Sequence, residues 1–241
     1  MFSMGDQALL VDNGFSRREL FARLEIAGIN PAAIIALFVT HDHIDHIRGV
    51  FSASRKLKIP VYLPEMMAPM FAERYPHARI TGVAAGMQVR IGSFMVHAMS
   101  AYHDATASLC YTIEAGGLRI TIITDTGRTD EIMERSAEES NLLFLEANYC
   151  PDMLENGRYP LYLKRRIAGD RGHLSNDAAS TLFNRAAGQG RLSHVYFCHL
   201  SQENNDPQVL EEHILSTNCP LCRYTVCERG KQYTGMLLCE E

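Results

Sequence analysis

An uninterrupted apolar run, Ile34 to Val39, constrains the fold of this chain more than any other segment. It lies between Pro31 and a histidine cluster that begins at His41. A short apolar run without alternation is typical of a strand buried on both faces, as in the parallel sheets of α/β proteins. We therefore expect a mixed α/β fold with this strand inside a sheet.

The rest of the chain alternates between helix and strand patterns, without an internal repeat or a linker, which predicts one domain over residues 1–241. Ser16 and Glu19 form a capping box, with Gly28 just beyond the predicted helix end. We predict helices over 16–27, 47–57 and 176–187. We predict strands over 34–39, 60–63, 94–99, 109–114, 118–124, 141–146 and 194–198.

Composition narrows the class of protein. No apolar run approaches the length of a membrane span, and the N-terminus lacks the pattern of a signal peptide, so we expect a cytoplasmic protein without a membrane partner. The net charge of −5 predicts that any contact with nucleic acid is local.

Cys219, Cys222 and Cys227 invite a zinc or redox interpretation, but no fourth zinc ligand is evident, which favours incidental free thiols.

The motif His41-x-His43-x-Asp45-His46 places four potential metal ligands within six residues, directly after the buried strand. Imidazole nitrogens and carboxylate oxygens suit zinc, and also manganese or iron. The alternative is a set of solvated loop histidines. The density of ligands in one short loop favours a metal site.

Other polar residues follow predicted strands: His103, Asp125, Glu146 and His199. In α/β folds, functional sites gather beyond the carboxyl ends of strands, where a rigid sheet holds variable loops. We therefore expect these residues to contribute to the site that the histidine motif begins.

Taken together, these residues resemble the metallo-β-lactamase superfamily, whose signature is His-x-His-x-Asp-His at the end of a buried strand. The resemblance covers nearly the whole chain and implies an αβ/βα four-layer sandwich with two mixed sheets. Members of the YycJ branch of this superfamily usually begin with an extra strand, so we expect an N-terminal strand to be missing. Likeness to the YycJ (also called WalJ) branch rests on these segments: Tyr102-His103-Asp104-Ala105, Thr124-Asp125-Thr126-Gly127, Leu145-Glu146-Ala147-Asn148, Asp170-Arg171-Gly172-His173-Leu174-Ser175-Asn176 and His199-Leu200-Ser201-Gln202-Glu203-Asn204-Asn205.

The resemblance implies two divalent metal ions, zinc or manganese with iron possible. One ion would be held by His41, His43 and His103, and the other by Asp45, His46 and His199. Asp125 would bridge the two ions, a bridging hydroxide would be the nucleophile, and Asp45 would act as its base. A further residue, Asp12, would support the metal loop structurally.

Glu146 and His173 have two interpretations. By resemblance to RNase Z-like relatives, the pair helps to protonate the leaving oxygen; alternatively, it is a structural hydrogen bond that orients the site. His173 is also an alternative to His199 as the last ligand. Its position before a helix, rather than after a strand, favours His199.

The substrate prediction depends on residues 149–171, where five basic residues are interspersed with tyrosines. They could hold phosphates and stack bases, or form the solvated face of a short helix starting near Pro160. The YycJ branch is associated with 5′-to-3′ exonuclease activity on DNA, which favours a phosphodiesterase. Two alternatives stay open. One is a hydrolase of small thioesters, lactones or β-lactams, which a sizeable apolar pocket at the site would favour. The other is a catalytically weak binding or regulatory module, which a low metal content after reconstitution would favour.

Overall fold

The computed structural model describes residues 1–216 and 222–235. Its strands are β1 (Phe2–Met4), β2 (Gln7–Val11), β3 (Ile34–Phe38), β4 (Val61–Pro64), β5 (Ile80–Val83), β6 (Gln88–Ile91), β7 (Phe94–Ser100), β8 (Leu109–Ala115), β9 (Leu118–Ile123), β10 (Leu142–Glu146), β11 (His194–Cys198) and β12 (Arg223–Val226). Its helices are α1 (Arg17–Ile26), α2 (Ile44–Ile47), α3 (Val50–Leu57), α4 (Ala68–Arg74), α5 (Glu131–Glu138), α6 (Pro151–Asn156), α7 (Leu161–Ile167), α8 (Asn176–Gly188) and α9 (Pro207–Ser216).

The chain is an α/β protein with two mixed sheets, of five and of seven strands within the described residues. It divides into two compact units. Within the described residues, the first unit consists mainly of Met1–Ser100 and Ala105–Gly117, and the second of Ala101–Asp104 and Leu118–Tyr233. The expected single domain over 1–241 stays a prediction.

The five-stranded sheet of the first unit has the order β1-β2-β3-β4-β5. Strand β3 pairs in parallel with both β2 and β4, and Leu37 and Phe38 on it are fully buried. This confirms the predicted strand at the apolar run. Helices α1 and α3 contribute Leu24 and Val50 to the same core, so the sheet that carries the histidine loop rests on packed helices.

A short strand, β1, precedes β2 and pairs with it antiparallel, with Phe2 opposite Leu9. The turn between the two strands passes through Gly5, whose φ is +58°. Where we expected a missing N-terminal strand, the structure has this short edge strand, which covers the backbone of β2.

The second unit contains four parallel strands in the order β9-β10-β11-β12. Leu145 pairs with Ile123 and with Phe197, so the three inner strands end at nearly the same level. Because parallel strands present their carboxyl ends at one edge of a sheet, the residues just beyond them are brought together there.

Several elements depart from the sequence patterns. The sequence did not indicate β5, β6, α4, α5 or α6. Residues 44–47 form the separate helix α2, so α3 begins at Val50 rather than at Ile47. The predicted helix near Pro160 is confirmed as α7. No helix in the described part of the chain is long and apolar enough to cross a membrane.

Cys219 lies outside the described residues. Cys150, Cys198 and Cys227 are free thiols. Burial raises the pKa of the Cys227 thiol to about 11, so this side chain stays protonated at neutral pH. A protonated thiol is a poor metal ligand, which agrees with the interpretation of Cys227 as an incidental thiol.

Candidate metal centre

The loop after β3 brings three histidines of the first unit together. The His41 ring is fully buried, and its centroid lies 4.6 Å from that of His43 and 4.1 Å from that of His46. Asp45 has two-thirds of its side chain exposed (67%), and its Oδ2 lies 3.8 Å from His46 Nε2. The motif therefore forms a compact group of imidazoles with one accessible carboxylate.

Asp12, just beyond β2, fixes this loop. It accepts hydrogen bonds from the backbone N–H and the hydroxyl of Thr40, at 2.8 and 2.7 Å, and its Oδ2 lies 2.7 Å from His46 Nδ1. Asp12 adopts a left-handed backbone conformation (φ +57°), which is uncommon outside glycine. The predicted structural role of Asp12 is confirmed.

Gly14 allows the chain after Asp12 to pass directly against the motif. A Cβ atom at this position would lie 1.6 Å from the backbone oxygen of Asp45. Only glycine allows the two backbone segments to approach this closely.

In the second unit, Asp125 lies between two histidines. Its Oδ1 is 3.8 Å from His103 Nε2 and 3.4 Å from His199 Nε2. Ligand atoms about 2.0–2.2 Å from a shared tetrahedral ion are about 3.3–3.6 Å apart. The separation between Asp125 and His199 matches this value, and that between Asp125 and His103 lies slightly above it. The donor set thus fits a divalent cation.

Hydrogen bonds at Nδ1 orient the imidazoles. His103 Nδ1 lies 2.9 Å from the carbonyl oxygen of Gly172, and His199 Nδ1 lies 2.9 Å from Glu146 Oε1. A carbonyl or carboxylate oxygen only accepts, so Nδ1 carries the proton and Nε2 is the basic nitrogen. This is the arrangement that metal-binding histidines adopt in proteins.

Glu146, at the end of β10, is fully buried and joins several of these groups. Its carboxylate accepts from His173 Nδ1 at 2.7 Å, from His199 Nδ1 at 2.9 Å and from the backbone N–H of Thr126 at 3.0 Å. Burial raises the pKa of Glu146, but the hydrogen bonds and charges of the two histidines outweigh it and hold the pKa well below its ordinary value. Glu146 is therefore a carboxylate at neutral pH.

His103 is kept neutral by its surroundings. Burial lowers its pKa, and the nearby Asp125 only partly opposes this effect. A neutral imidazole is the form that coordinates a metal ion. In contrast, burial raises the pKa of the Cys198 thiol well above its ordinary value, which argues against a thiolate ligand beside His199.

Two of these residues have an unusual backbone that the sequence did not reveal. Asp125 and His199 have φ values of +52° and +59°, in the left-handed region. Asn148 donates from Nδ2 to the carbonyl oxygen of His199 at 2.8 Å and so stabilises its turn. Such conformations concentrate at functional sites because the surrounding structure must hold them. The only sequence signal for Asn148 was its place in the segment that follows β10.

All the residues predicted for the site lie in one of two clusters. The first unit brings together His41, His43, Asp45 and His46. In the second unit, ligand atoms of Asp125, Glu146, His173 and His199 lie within 4.8 Å of one another, and His103 joins them through Asp125.

The arginines of residues 149–171 mostly contact the protein itself. Arg158 pairs with Glu203, and Arg166 pairs with Asp104. Arg171 donates two hydrogen bonds to the backbone oxygen of His103. The cluster predicted to hold phosphates thus partly supports the loop that carries His103.

The fold and the site together define the class of protein: an α/β chain with two mixed sheets that carries imidazoles and carboxylates of the metal-ligand type beyond its strand ends. The family model described as the Beta-lactamase superfamily domain matches residues 7–199, and the chain belongs to this family. It is a hydrolase of the metallo-β-lactamase fold.

Known relatives support this assignment. The chain is 31% identical over 204 residues to a Bacillus anthracis protein named exodeoxyribonuclease YycJ, covering 83% of this chain and 76% of the relative. It is 30% identical to exodeoxyribonuclease WalJ of Streptococcus pneumoniae serotype 2 strain D39, covering 82% and 75%. The crystal structure of the metallo-β-lactamase fold protein YhfI from Bacillus subtilis has a TM-score of 0.69 at 18% identity, covering 92% and 86%, which shows the fold.

Proposed function

We propose that this protein is a two-metal phosphodiesterase that degrades DNA as a 5′-to-3′ exonuclease in the cytoplasm. The observation that carries the metal part is Asp125, whose Oδ1 lies within 4 Å of the Nε2 atoms of both His103 and His199. The DNA part is supported by the relatives of 30–31% identity, which are named exodeoxyribonucleases.

In this proposal, the ions are zinc or manganese. His41, His43 and His103 would hold one ion, and Asp45, His46 and His199 would hold the other. Asp125 would be a ligand of both ions. The assignment combines the family's motif with the donor chemistry of each cluster.

When bound, the two ions would supply a water molecule that ionises near neutral pH and would neutralise charge on the phosphate. The protein's own groups then orient the reaction. Asp45 has an accessible carboxylate that can accept the proton of this water. The hydrogen bond between His46 Nδ1 and Asp12 holds the His46 ring in one orientation beside Asp45.

The leaving oxygen of a phosphodiester needs a proton, and in this proposal His173 provides it. Its Nδ1 lies 2.7 Å from Glu146 Oε1, and this hydrogen bond orients the imidazole. Glu146 also holds His199, which links the orientation of the donor to that of a ligand.

The test measures metal content and DNA cleavage together in wild type, Asp125→Ala and His173→Ala, after EDTA treatment and reloading with Zn²⁺ or Mn²⁺. We expect Asp125→Ala to lose metal and activity together. His173→Ala should keep its metal but lose about 100-fold or more in kcat, since it removes the proton donor. The exposed His77 gives a matched control, His77→Ala, which should match wild type.

Two results would overturn the proposal. One is a metal-loaded wild type that leaves single- and double-stranded DNA intact. The other is loss of metal by His173→Ala with retention by His199→Ala, which would exchange their roles. Oligonucleotides blocked at either the 5′ or the 3′ end test polarity, and only the 5′ block should stop digestion.

A further inference from the structure

Arg128 is an exposed arginine beside the candidate metal centre that the mechanism above does not use. It lies three residues beyond Asp125, in the loop after β9. Its guanidinium carbon is 3.6 Å from the centroid of the Tyr102 ring, and Tyr102 directly precedes His103. The loops that carry two proposed metal ligands therefore meet at this arginine–tyrosine pair.

The pair is held by a set of hydrogen bonds. The Tyr102 hydroxyl donates to Asp130 Oδ2 at 2.8 Å, which fixes the ring. The hydroxyl of Thr126 accepts from the backbone N–H of Tyr102 at 3.1 Å and donates to the backbone oxygen of Arg128 at 2.8 Å. A third bond runs from the backbone N–H of Gly127 to the backbone oxygen of Tyr102, at 2.8 Å. These hydrogen bonds therefore hold both the backbone of Arg128 and the ring on which its guanidinium stacks.

The guanidinium of Arg128 interacts with Tyr102, whose hydroxyl it hydrogen-bonds and whose hydroxyl also donates to Asp130. Arg158 and Arg166 pair with carboxylates, whereas Arg128 forms no ion pair with any carboxylate among residues 1–216 and 222–235. A guanidinium has five N–H donors, so stacking on an aromatic face with one bond to its hydroxyl leaves donors at the edge available to a further acceptor. A guanidinium held in this way matches the paired oxygens of a phosphate.

We propose that Arg128, oriented by Tyr102, binds a phosphate of the nucleic-acid substrate adjacent to the scissile phosphodiester. This inference rests on the proposed function, since it assigns a substrate contact to the same site. The ligand class is a nucleic-acid backbone phosphate, bound through two N–H donors of one guanidinium. Tyr102 is a positioning residue in this scheme.

The first measurement is DNA binding without catalysis. A labelled single-stranded oligonucleotide is titrated in EDTA with wild type, Arg128→Ala, Arg128→Lys and Tyr102→Leu, and fluorescence anisotropy gives Kd. We expect Arg128→Ala to weaken binding about tenfold and to reduce the salt dependence by about one ion. The Kd values of Arg128→Lys and Tyr102→Leu should lie between those of wild type and Arg128→Ala. Lysine lacks the paired donors of a guanidinium, and leucine lacks the aromatic ring that orients it. Arg135→Ala on α5, which removes another exposed arginine, one that pairs with Glu139, is the control and should bind like wild type.

The second measurement compares kcat/KM on DNA with that on bis(p-nitrophenyl) phosphate, which has no neighbouring phosphate. Arg128→Ala should lower the ratio of the two values about tenfold, mostly through KM on DNA. Equal losses on both substrates, or equal weakening of DNA binding by Arg128→Ala and Arg135→Ala, would overturn the inference. If metal-loaded wild type cleaves neither substrate, the proposed function fails, and the titration in EDTA still decides whether Arg128 binds DNA.

Discussion

The buried amide pair of Asn176 and Asn205 gives the sharpest test of how the second unit is held together. Asn176 Nδ2 donates to Asn205 Oδ1 at 3.0 Å, and Asn205 Nδ2 donates back to Asn176 Oδ1 at 2.8 Å. Asn205 Nδ2 also donates to the backbone oxygen of Ala147 at 2.9 Å, next to Glu146. The pair therefore ties the start of α8 to the loops after β10 and β11.

Asn205→Ala removes these three bonds and a fourth, from the backbone N–H of Asp206 at 3.0 Å. Each lost bond costs about 1 kcal/mol, and leaving the Asn176 amide buried without its partner adds to this. We expect a loss of about 3–5 kcal/mol in the free energy of unfolding. Asn176→Ala should cost about 2–3 kcal/mol, because Asn205 keeps its bond to Ala147.

Urea unfolding in EDTA, followed by circular dichroism, measures these differences without a contribution from bound metal. The double variant should be more stable than additivity predicts, by about 2 kcal/mol, because each single variant already breaks the shared bonds. Asn156→Ala, which loses one exposed bond on α6, should lie within about 0.5 kcal/mol of wild type. A loss below about 1 kcal/mol for Asn205→Ala, or full additivity, would show that the amide pair does not stabilise the second unit in this way.

Three further predictions concern metal affinity and backbone geometry. Glu146→Gln should weaken zinc binding about 10- to 100-fold in a chelator competition, because His199 loses its carboxylate partner; unchanged affinity would contradict this role. Gly127→Ala should lower stability by about 2–3 kcal/mol in urea unfolding, because the new Cβ would lie 2.3 Å from the Gly169 oxygen. Its control, Gly188→Ala, meets no atom within 4 Å and should raise stability by about 0.5–1 kcal/mol. Lys58→Gly should add about 1 kcal/mol to the stability measured in thermal or urea unfolding, because Lys58 has a φ of +58° at the end of α3. Lys56→Gly, two residues earlier and within α3, should instead destabilise, and a gain there would show that the left-handed backbone is not the cause.

The sequence alone determined the elements whose signals are local. The apolar run at Ile34 predicted β3, and Ser16 with Glu19 predicted the start of α1, because burial on both faces and helix capping leave patterns within a few residues. The order of strands and polar residues was also readable, since a strand end fixes the position of the residue that follows it. Hence the predicted ligands appear in the loop after β3 and beyond the ends of β7, β9 and β11.

Only the tertiary structure decided how these residues are held. Glu146 contacts His173 and His199, which are 27 and 53 positions away, and no pattern within one segment specifies such a pairing. Likewise, the left-handed backbone at Asp125 depends on its surroundings, since an aspartate alone does not require it. That Arg128 stacks on Tyr102 while Arg158 and Arg166 pair with carboxylates depends equally on where the chain places acidic residues around each arginine. These properties arise from contacts between distant segments, whereas the positions of the ligands along the chain follow from local pattern.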